Sequence, residues 1–530
     1  MRAARGVALS ALEMLCLLTA CASPGGEADT SSSALPRTAA NTFPVGVYAV
    51  WHGTRQDVFE SSAVVGGQVW ALWDQVEPER GQYDFTLLDE RLDAVRSAGR
   101  QATVQLNANA HPDWLFDQVP YLPIRLHTVR SARGTPMYWH PTYLAAQLAL
   151  IEALANWIDT HPYREAIAAV RLSYNAVGTE GLSIPDAYHR ASAWKRSAGV
   201  SEGSDWSSAQ AVGYAERIVE HYIDEIAPVA FLLVRRALFQ EGRGRIGSGT
   251  QGARLRARLQ RLLDGGRAGV FHTSSDIQPR NGGFSLEVYR TMRTQCLERR
   301  YICYAEAMRT AEGRHKDYPT TVVPSESEWF YWRVLSDLSL GVSRLAVNRL
   351  DLVRAENPGV ALGLDFAERH LGAHLAPRES SGAWIAFRQG DFLAGDYGVL
   401  AAAQGCGVRR TGVGSADEPY GLWASRLRAG DSCEIRFDRD FLQGAASEPT
   451  VLSILARSVD ENDTSIGLAG LGQRPVQLTV PGDSAWHRLR VELAPFSKDS
   501  QRGPLHLEAV ARAVDLHLVE LARADAHTSP

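Results

Sequence analysis

Eight short apolar segments recur between residues 45 and 350 of this chain, most of them followed by a helix-like stretch. They are VGVYAVW (45–51), QVWALW (68–73), QATVQL (101–106), AAVRLSY (168–174), APVAFLLV (227–234), AGVFHT (268–273), TTVVPS (320–325) and VSRLAVNRL (342–350). Runs of this length, rich in Val, Leu and Ala, suit strands covered on both faces, and parallel strands need a crossover between neighbours. FTLLDERLDAVRSAG supplies one crossover helix, with Leu87, Leu88, Leu92 and Val95 on one face and Gly99 as its stop. PTYLAAQLALIEALANWIDTH and WFYWRVLSDLSLG supply two more. The pattern predicts an α/β fold, a (β/α)8 TIM barrel over residues 43–377.

After residue 378 the periodicity changes. GAWIAFR, CEIRF, TVLSILARS, VQLTV, HRLRVEL, LHLEAVA and VDLHLVEL follow one another, separated by Gly, Asp, Pro and Ser rather than by helices. Strand-length units at that spacing predict a β-sandwich domain over residues 378–525 that packs against the barrel. Its Trp384, Trp423 and Trp486 fit a core role or a sugar-stacking role equally well.

The N-terminus reads as an export segment. Arg2 and Arg5 precede an apolar stretch from Val7 to Ala20 that closes on small residues, so residues 1–20 are expected to be a signal peptide. Leu18-Thr19-Ala20-Cys21 resembles the lipobox of bacterial lipoproteins, which implies lipidation of Cys21 and a membrane anchor at the cell envelope; an ordinary secretory signal is the other reading. Residues 21–42, rich in Gly, Ser, Ala and Thr, are expected to be a flexible tether. Cys16 leaves with the signal, so Cys296, Cys303, Cys406 and Cys433 remain beside Cys21. Four thiols in an oxidising compartment permit two disulfides; neighbours in sequence would pair as Cys296–Cys303 and Cys406–Cys433, with connectivity open. Their spacing matches no zinc site, and the chain carries no phosphate loop, His-Glu-x-x-His or nucleophile elbow, so neither metal nor cofactor is expected. A formal net charge of -5 over 530 residues argues against a nucleic-acid partner, which would demand a basic face.

A closed barrel gathers the C-terminal ends of all its strands on one face. Two candidate strands run into acidic residues, Glu180 in RLSYNAVGTEG and Glu326 in TTVVPSESEW. A facing carboxylate pair is what cleavage of a glycosidic bond requires. Residues 70–99, WALWDQVEPERGQYDFTLLDERLDAVRSAG, resemble the second-strand region of clan A glycoside hydrolases, particularly β-galactosidase-like families. The shared elements are Trp73, Glu77, Pro78, Gly81, Tyr83, Asp84, Phe85, Leu88 and Asp89. The resemblance implies an acid/base Glu after strand four and a nucleophile Glu after strand seven, positions held here by Glu180 and Glu326. Thr179 stands where many relatives carry Asn, and the nearest Asn is Asn175.

A retaining mechanism would need the two carboxyls about 5–5.5 Å apart, with Glu180 protonated by virtue of a raised pKa and Glu326 ionised. Glu328 competes with Glu326, but Ser325-x-x-Glu328 before an apolar helix is a capping box that accounts for it. Strand order brings His52, Arg55, Asp74, Arg235, Arg236, Arg349 and Asp351 toward the same face. Trp73, Asn107, Asn109, His111, Asn175, Asp276, Trp329 and Asn348 are the expected substrate-binding residues, with Trp114, Trp139 and Trp332 as further stacking candidates. The expected partner is a carbohydrate, and the expected activity is retaining glycoside hydrolysis. A non-catalytic carbohydrate-binding lipoprotein on the same barrel is one alternative, and an inverting hydrolase or lyase using Asp276 or Asp74 is the other.

Overall fold

Seven of the eight expected strands enter a closed parallel barrel, and the seventh position is filled from elsewhere in the chain. The computed structural model describes residues 43–235, 249–273, 286–306, 310, 325–354, 356–387, 396–410, 419–420, 423–496 and 503–524. Cys21, Asp276 and Arg236 therefore lie outside the described residues, as do the signal and tether. The barrel strands are β1 (Gly46–Val50), β2 (Val64–Leu72), β3 (Gln101–Asn107), β4 (Ile167–Arg171), β5 (Leu232–Arg235), β6 (Ala268–Thr273), β7 (Cys303–Glu306) and β8 (Arg344–Asn348). Each pairs with its neighbours in sequence, and β1 closes the ring on β8.

The expectation that TTVVPS forms strand seven is corrected. Residues 320–324 lie outside the described residues, and Ser325 is the N-cap of a helix, its Oγ accepting from Glu328 N at 3.1 Å. The seventh strand is Cys303–Glu306, in register with β6 through Val270 and Cys303 and with β8 through Ala346 and Glu306. Four residues are too few to show a period, and β-branched Thr and Val score better as a strand than Cys-Tyr-Ala-Glu. The start of β7 is held from outside the barrel by a Cys296–Cys303 disulfide; a second joins Cys406 to Cys433.

Inward-facing residues fill the barrel with aromatic rings. Phe43 plugs the end where the strands begin, its ring 5.2 Å from Tyr48 and 5.4 Å from Phe231. Tyr304 and Phe271 pack against each other at a tilt, their ring centres 5.9 Å apart. The described interior is therefore a packed core.

Two antiparallel sheets follow. A seven-stranded sheet is built around the long strand Val514–Arg523, which pairs with Gly382–Phe387 and Trp423–Leu427 on one edge and Thr450–Ser458 on the other. A five-stranded sheet runs Ala401–Gln404, Ser432–Phe437, Leu505–Ala509, Thr464–Gly470, Gln473–Val480. Their facing sides enclose a core that includes Ile385, Phe387, Ile435, Ile454 and Leu507. The barrel helix α1 (Glu326–Ser339) docks on this sandwich through Tyr331 Oη, 3.2 Å from His517 Nε2, and Trp332 Nε1, which donates to the Tyr420 carbonyl at 3.1 Å. Trp384 and Trp423 are buried in the joint, with Trp384 edge-on to Phe366 at 4.9 Å, and Trp486 packs 5.7 Å from the His517 ring.

Candidate active site

The string at 70–99 folds into a clamp at the end of β2. Trp73 is fully buried, and its Nε1 donates to Glu77 Oε2 at 2.8 Å, while Glu77 Oε1 accepts from Gly81 N at 2.9 Å. One carboxylate thus ties the strand end to the turn that Pro78 and Gly81 (φ 73°) make, and Phe85 stacks on Trp157 at 5.5 Å to seat the following helix. Trp73 also packs against Tyr143 and His111. It is a core residue, not a sugar platform.

Above the barrel, a cavity of about 550 Å³ is lined by Trp51, Gln105, Asn109, His127, Thr128, Arg130, Arg171, Val177, Thr179, Glu180, Gly181, Glu306 and Asn348. Its floor carries one guanidinium between two carboxylates. Arg171, the last residue of β4, donates from Nη1 to Glu306 Oε2 at 2.5 Å and to Gln105 Oε1 at 2.8 Å, and from Nη2 to Glu180 Oε1. Its planar group lies 3.6 Å from the centre of the Phe271 ring. Gln68 Nε2 donates to the same Gln105 oxygen at 2.9 Å, so a polar layer crosses the barrel from β2 to β7. Arg235, at the end of β5, forms a second ion pair with Glu180 Oε1.

The two carboxyls are tuned in opposite directions. Burial alone would lift Glu180, but the Arg235 and Arg171 charges outweigh it and hold the carboxyl down at about 2. The expectation of a raised pKa at Glu180 is thereby reversed in the free site. Glu306 is pushed above the usual carboxylate value, first by burial and further by the Glu180 charge, with Arg171 acting against the rise. Its side chain is 2% exposed against 24% for Glu180.

Glu180 is delivered by a tight loop. Asn175, in the left-handed region at φ 51°, accepts from Ala108 N through Oδ1 at 3.0 Å. Asn109 Oδ1 accepts from Thr179 N at 3.1 Å and Thr179 Oγ1 at 2.9 Å. The loops after β3 and β4 are therefore pinned to each other by two Asn side chains. Gly178 sits between them at φ 74°, where an added Cβ would fall 1.9 Å from Thr128 Oγ1. Gly178→Ala is expected to cost about 1–2 kcal/mol in backbone strain and to push Glu180 off its position. A displacement near 1 Å lowers turnover by about 10²-fold. Comparing kcat/KM with the melting temperature checks this: activity should collapse while the fold persists.

The sequence profile of the glycoside hydrolase family 42 β-galactosidases matches residues 67–173. Over that stretch the barrel is similar to the family 42 β-galactosidases. The matched stretch runs from β2 to just past β4 and stops short of both carboxylates. Over 100 residues the chain is 28% identical to β-galactosidase BgaH of Haloferax lucentense, a stretch amounting to 17% of this chain and 14% of that protein. The catalytic domain of β-amylase from Paenibacillus polymyxa superposes with a TM-score of 0.37 at 10% identity, covering 63% of this chain and 99% of that one.

Within the barrel, the expected site residues separate into three groups. Glu180, Asn109 and Asn348 line the cavity, and Asn348 Oδ1 also caps a short helix by accepting from Leu350 N at 3.0 Å. Asn107, Asn175 and His111 are buried beside it; His111 bridges Ser131 Oγ (3.1 Å) and Tyr143 Oη (3.0 Å), and burial lowers its pKa to about 3. Trp73 and Trp329 are core, and so is His52, packed edge-on against Phe59. Glu326 opens α1, accepts from Asn357 Nδ2 at 3.0 Å and pairs with Arg354 at 3.4 Å, and does not line the cavity. Glu306, Arg171, Gln105 and Trp51 are the site residues that sequence reasoning missed. Arg171 left a trace, since a charge inside AAVRLSY is out of place on a strand buried on both faces. Trp51 left none, although its φ of 60° marks a constrained residue at the mouth.

Proposed function

We propose that the protein is a retaining glycoside hydrolase in which Glu180 and Glu306 form the reacting pair. The observation that carries this reading is the single guanidinium of Arg171 shared by both carboxyls on the floor of one cavity. Strand position favours Glu306, at the end of β7, as nucleophile and Glu180, after β4, as acid/base. In that scheme Glu306 attacks the anomeric carbon while Glu180 protonates the departing glycosidic oxygen. Glu180 then deprotonates the water that hydrolyses the glycosyl ester, releasing Glu306. Gln105, Asn109 and Asn348 offer donors and acceptors to sugar hydroxyls, and Trp51 offers a flat apolar face.

The test is stereochemical. An aryl β-galactoside, chosen for the likeness to β-galactosidase BgaH, should release first the β anomer, seen by proton NMR before mutarotation. Initial release of the α anomer would mean inversion and would overturn the assignment. The ion pairs on Glu180 favour one second reading, a barrel that binds carbohydrate without cleaving it. Saturable sugar binding with no turnover on any aryl glycoside would support that one instead.

A further inference from the structure

Among the described residues, the cavity holds more positive charge than its two carboxylates balance, and two of its guanidiniums are arranged around a carboxylate. Arg171 and Arg235 converge on one oxygen, Oε1 of Glu180. A third cation, Arg130, lies exposed on the wall of the same cavity and makes no ion pair among the described residues. Glu180 and Glu306 are the only carboxylates among the described lining residues. Three guanidiniums therefore face two carboxyls. A carboxylate clamped by two guanidiniums stays ionised and has no proton to give, so the acid role demands that both arginines find another anion when substrate enters. Planar guanidiniums match a planar carboxylate with paired hydrogen bonds.

Resting on the hydrolase reading above, we propose that the substrate is an acidic sugar, and that its carboxylate takes over Arg235 and Arg171 from Glu180. The exchange keeps the charges in balance. The substrate anion replaces the Glu180 anion on the guanidiniums, and Glu180, released beside the buried Glu306, takes a proton from solvent and becomes the acid. Arg130 then serves as the outer cation that draws the anionic chain toward the mouth. Neutral sugars would enter the same cavity but bring no anion for the arginines, so Glu180 would be freed for the acid role less often and cleavage would be slower.

The experiment compares 4-nitrophenyl β-galactoside with the corresponding β-galacturonide on the full chain and on Arg235→Gln. The wild type should favour the uronide in kcat/KM by about tenfold to a hundredfold, the worth of one or two charge-assisted hydrogen bonds. Arg235→Gln should erase that preference mainly through KM, and Arg235→Lys, which keeps the charge but not the fork, should restore part of it. Equal or better cleavage of the neutral glycoside, or an equal loss on both substrates in Arg235→Gln, overturns the proposal. If neither glycoside is cleaved, calorimetric titration with galacturonate, galactose and galactose 6-sulfate separates the two claims. Tight binding of galacturonate alone keeps the acidic site and removes the hydrolase. Equal binding of galactose, tighter binding of the sulfate, or no binding overturns the acidic site itself. Circular dichroism on each variant confirms that a lost preference is not lost fold.

Discussion

Glu306→Gln is expected to abolish hydrolysis, by more than about 10⁴-fold, whereas Glu326→Gln should leave it within about twofold. The contrast follows from position. Glu306 ends β7, is buried, and shares Arg171 with Glu180 on the cavity floor. Glu326 sits at the first turn of α1, where it accepts from Asn357 and Arg354 and, as an acid near a helix N-terminus, has a structural use. Azide adds a discriminating readout. With Glu306→Ala and an activated aryl glycoside, azide attacking from the vacated face should yield the glycosyl azide of inverted configuration. Glu180→Ala with azide should yield the retained one, because the nucleophile still acts. Full activity in Glu306→Gln, or loss confined to Glu326→Gln, would remove the proposed pair.

Arg171→Met should destabilise the barrel by about 3–5 kcal/mol, the cost of leaving a buried charge without its partner. Met fills much of the Arg stem and can lie on Phe271, so packing is largely kept and the effect isolates the charge. Its pH dependence has a definite sign. Glu306 already has a raised pKa, and losing Arg171 raises it further. A carboxyl with a raised pKa is best tolerated when protonated, so its penalty is absent at low pH and grows as pH climbs past the ordinary value. Glu180 behaves oppositely: with its pKa held at about 2 against the ordinary 4.5, its ion-pair stabilisation is present above 4.5 and disappears as pH falls toward 2. Removing Arg171 takes away part of that stabilisation too. The Glu306 effect makes the gap in urea stability between wild type and Arg171→Met widen from pH 4.5 to pH 7.5, while the Glu180 effect changes the gap mainly below pH 4.5. A gap that stays flat over that range would show that Arg171 is not coupled to the carboxyls.

The sandwich joint bears on how the site is held. α1 follows β7 in the chain and is fixed to the second domain by Tyr331 and Trp332, while Arg369 and His370 reach Glu520 on the long strand of the seven-stranded sheet. A buried carboxylate that two basic side chains of the barrel share is a rigid joint between domains. The sandwich tryptophans Trp384 and Trp423 are spent in this packing, which gives the second domain a supporting part.

How much was legible in the sequence depended on segment length. The helices and the strands β2, β3 and β6 carried enough apolar residues to be placed to within a few positions, and the change of period near 378 precedes the first antiparallel strand, Gly382–Phe387. The turn at Glu77–Gly81 was readable because Pro and Gly shape it in any context. β7 was not, because four residues hold no period and the better strand former, TTVV, lay nearby. Glu180 was found from its strand and its flanking glycines. Its expected raised pKa is not what the free site shows, because burial points one way and two arginines, from β4 and β5, point the other. The strand–helix alternation, with seven of its eight strands rightly placed, by itself pointed to a parallel barrel with one face rich in polar strand ends. Which carboxylates meet there was decided only by tertiary structure, since β4, β5 and β7 are brought together by closure of the ring. Charges far apart in the chain interact only through that closure: Arg171 stands near Glu180 in sequence, but Arg235 reaches Glu180, and Glu306 meets both Arg171 and Glu180, only across the ring.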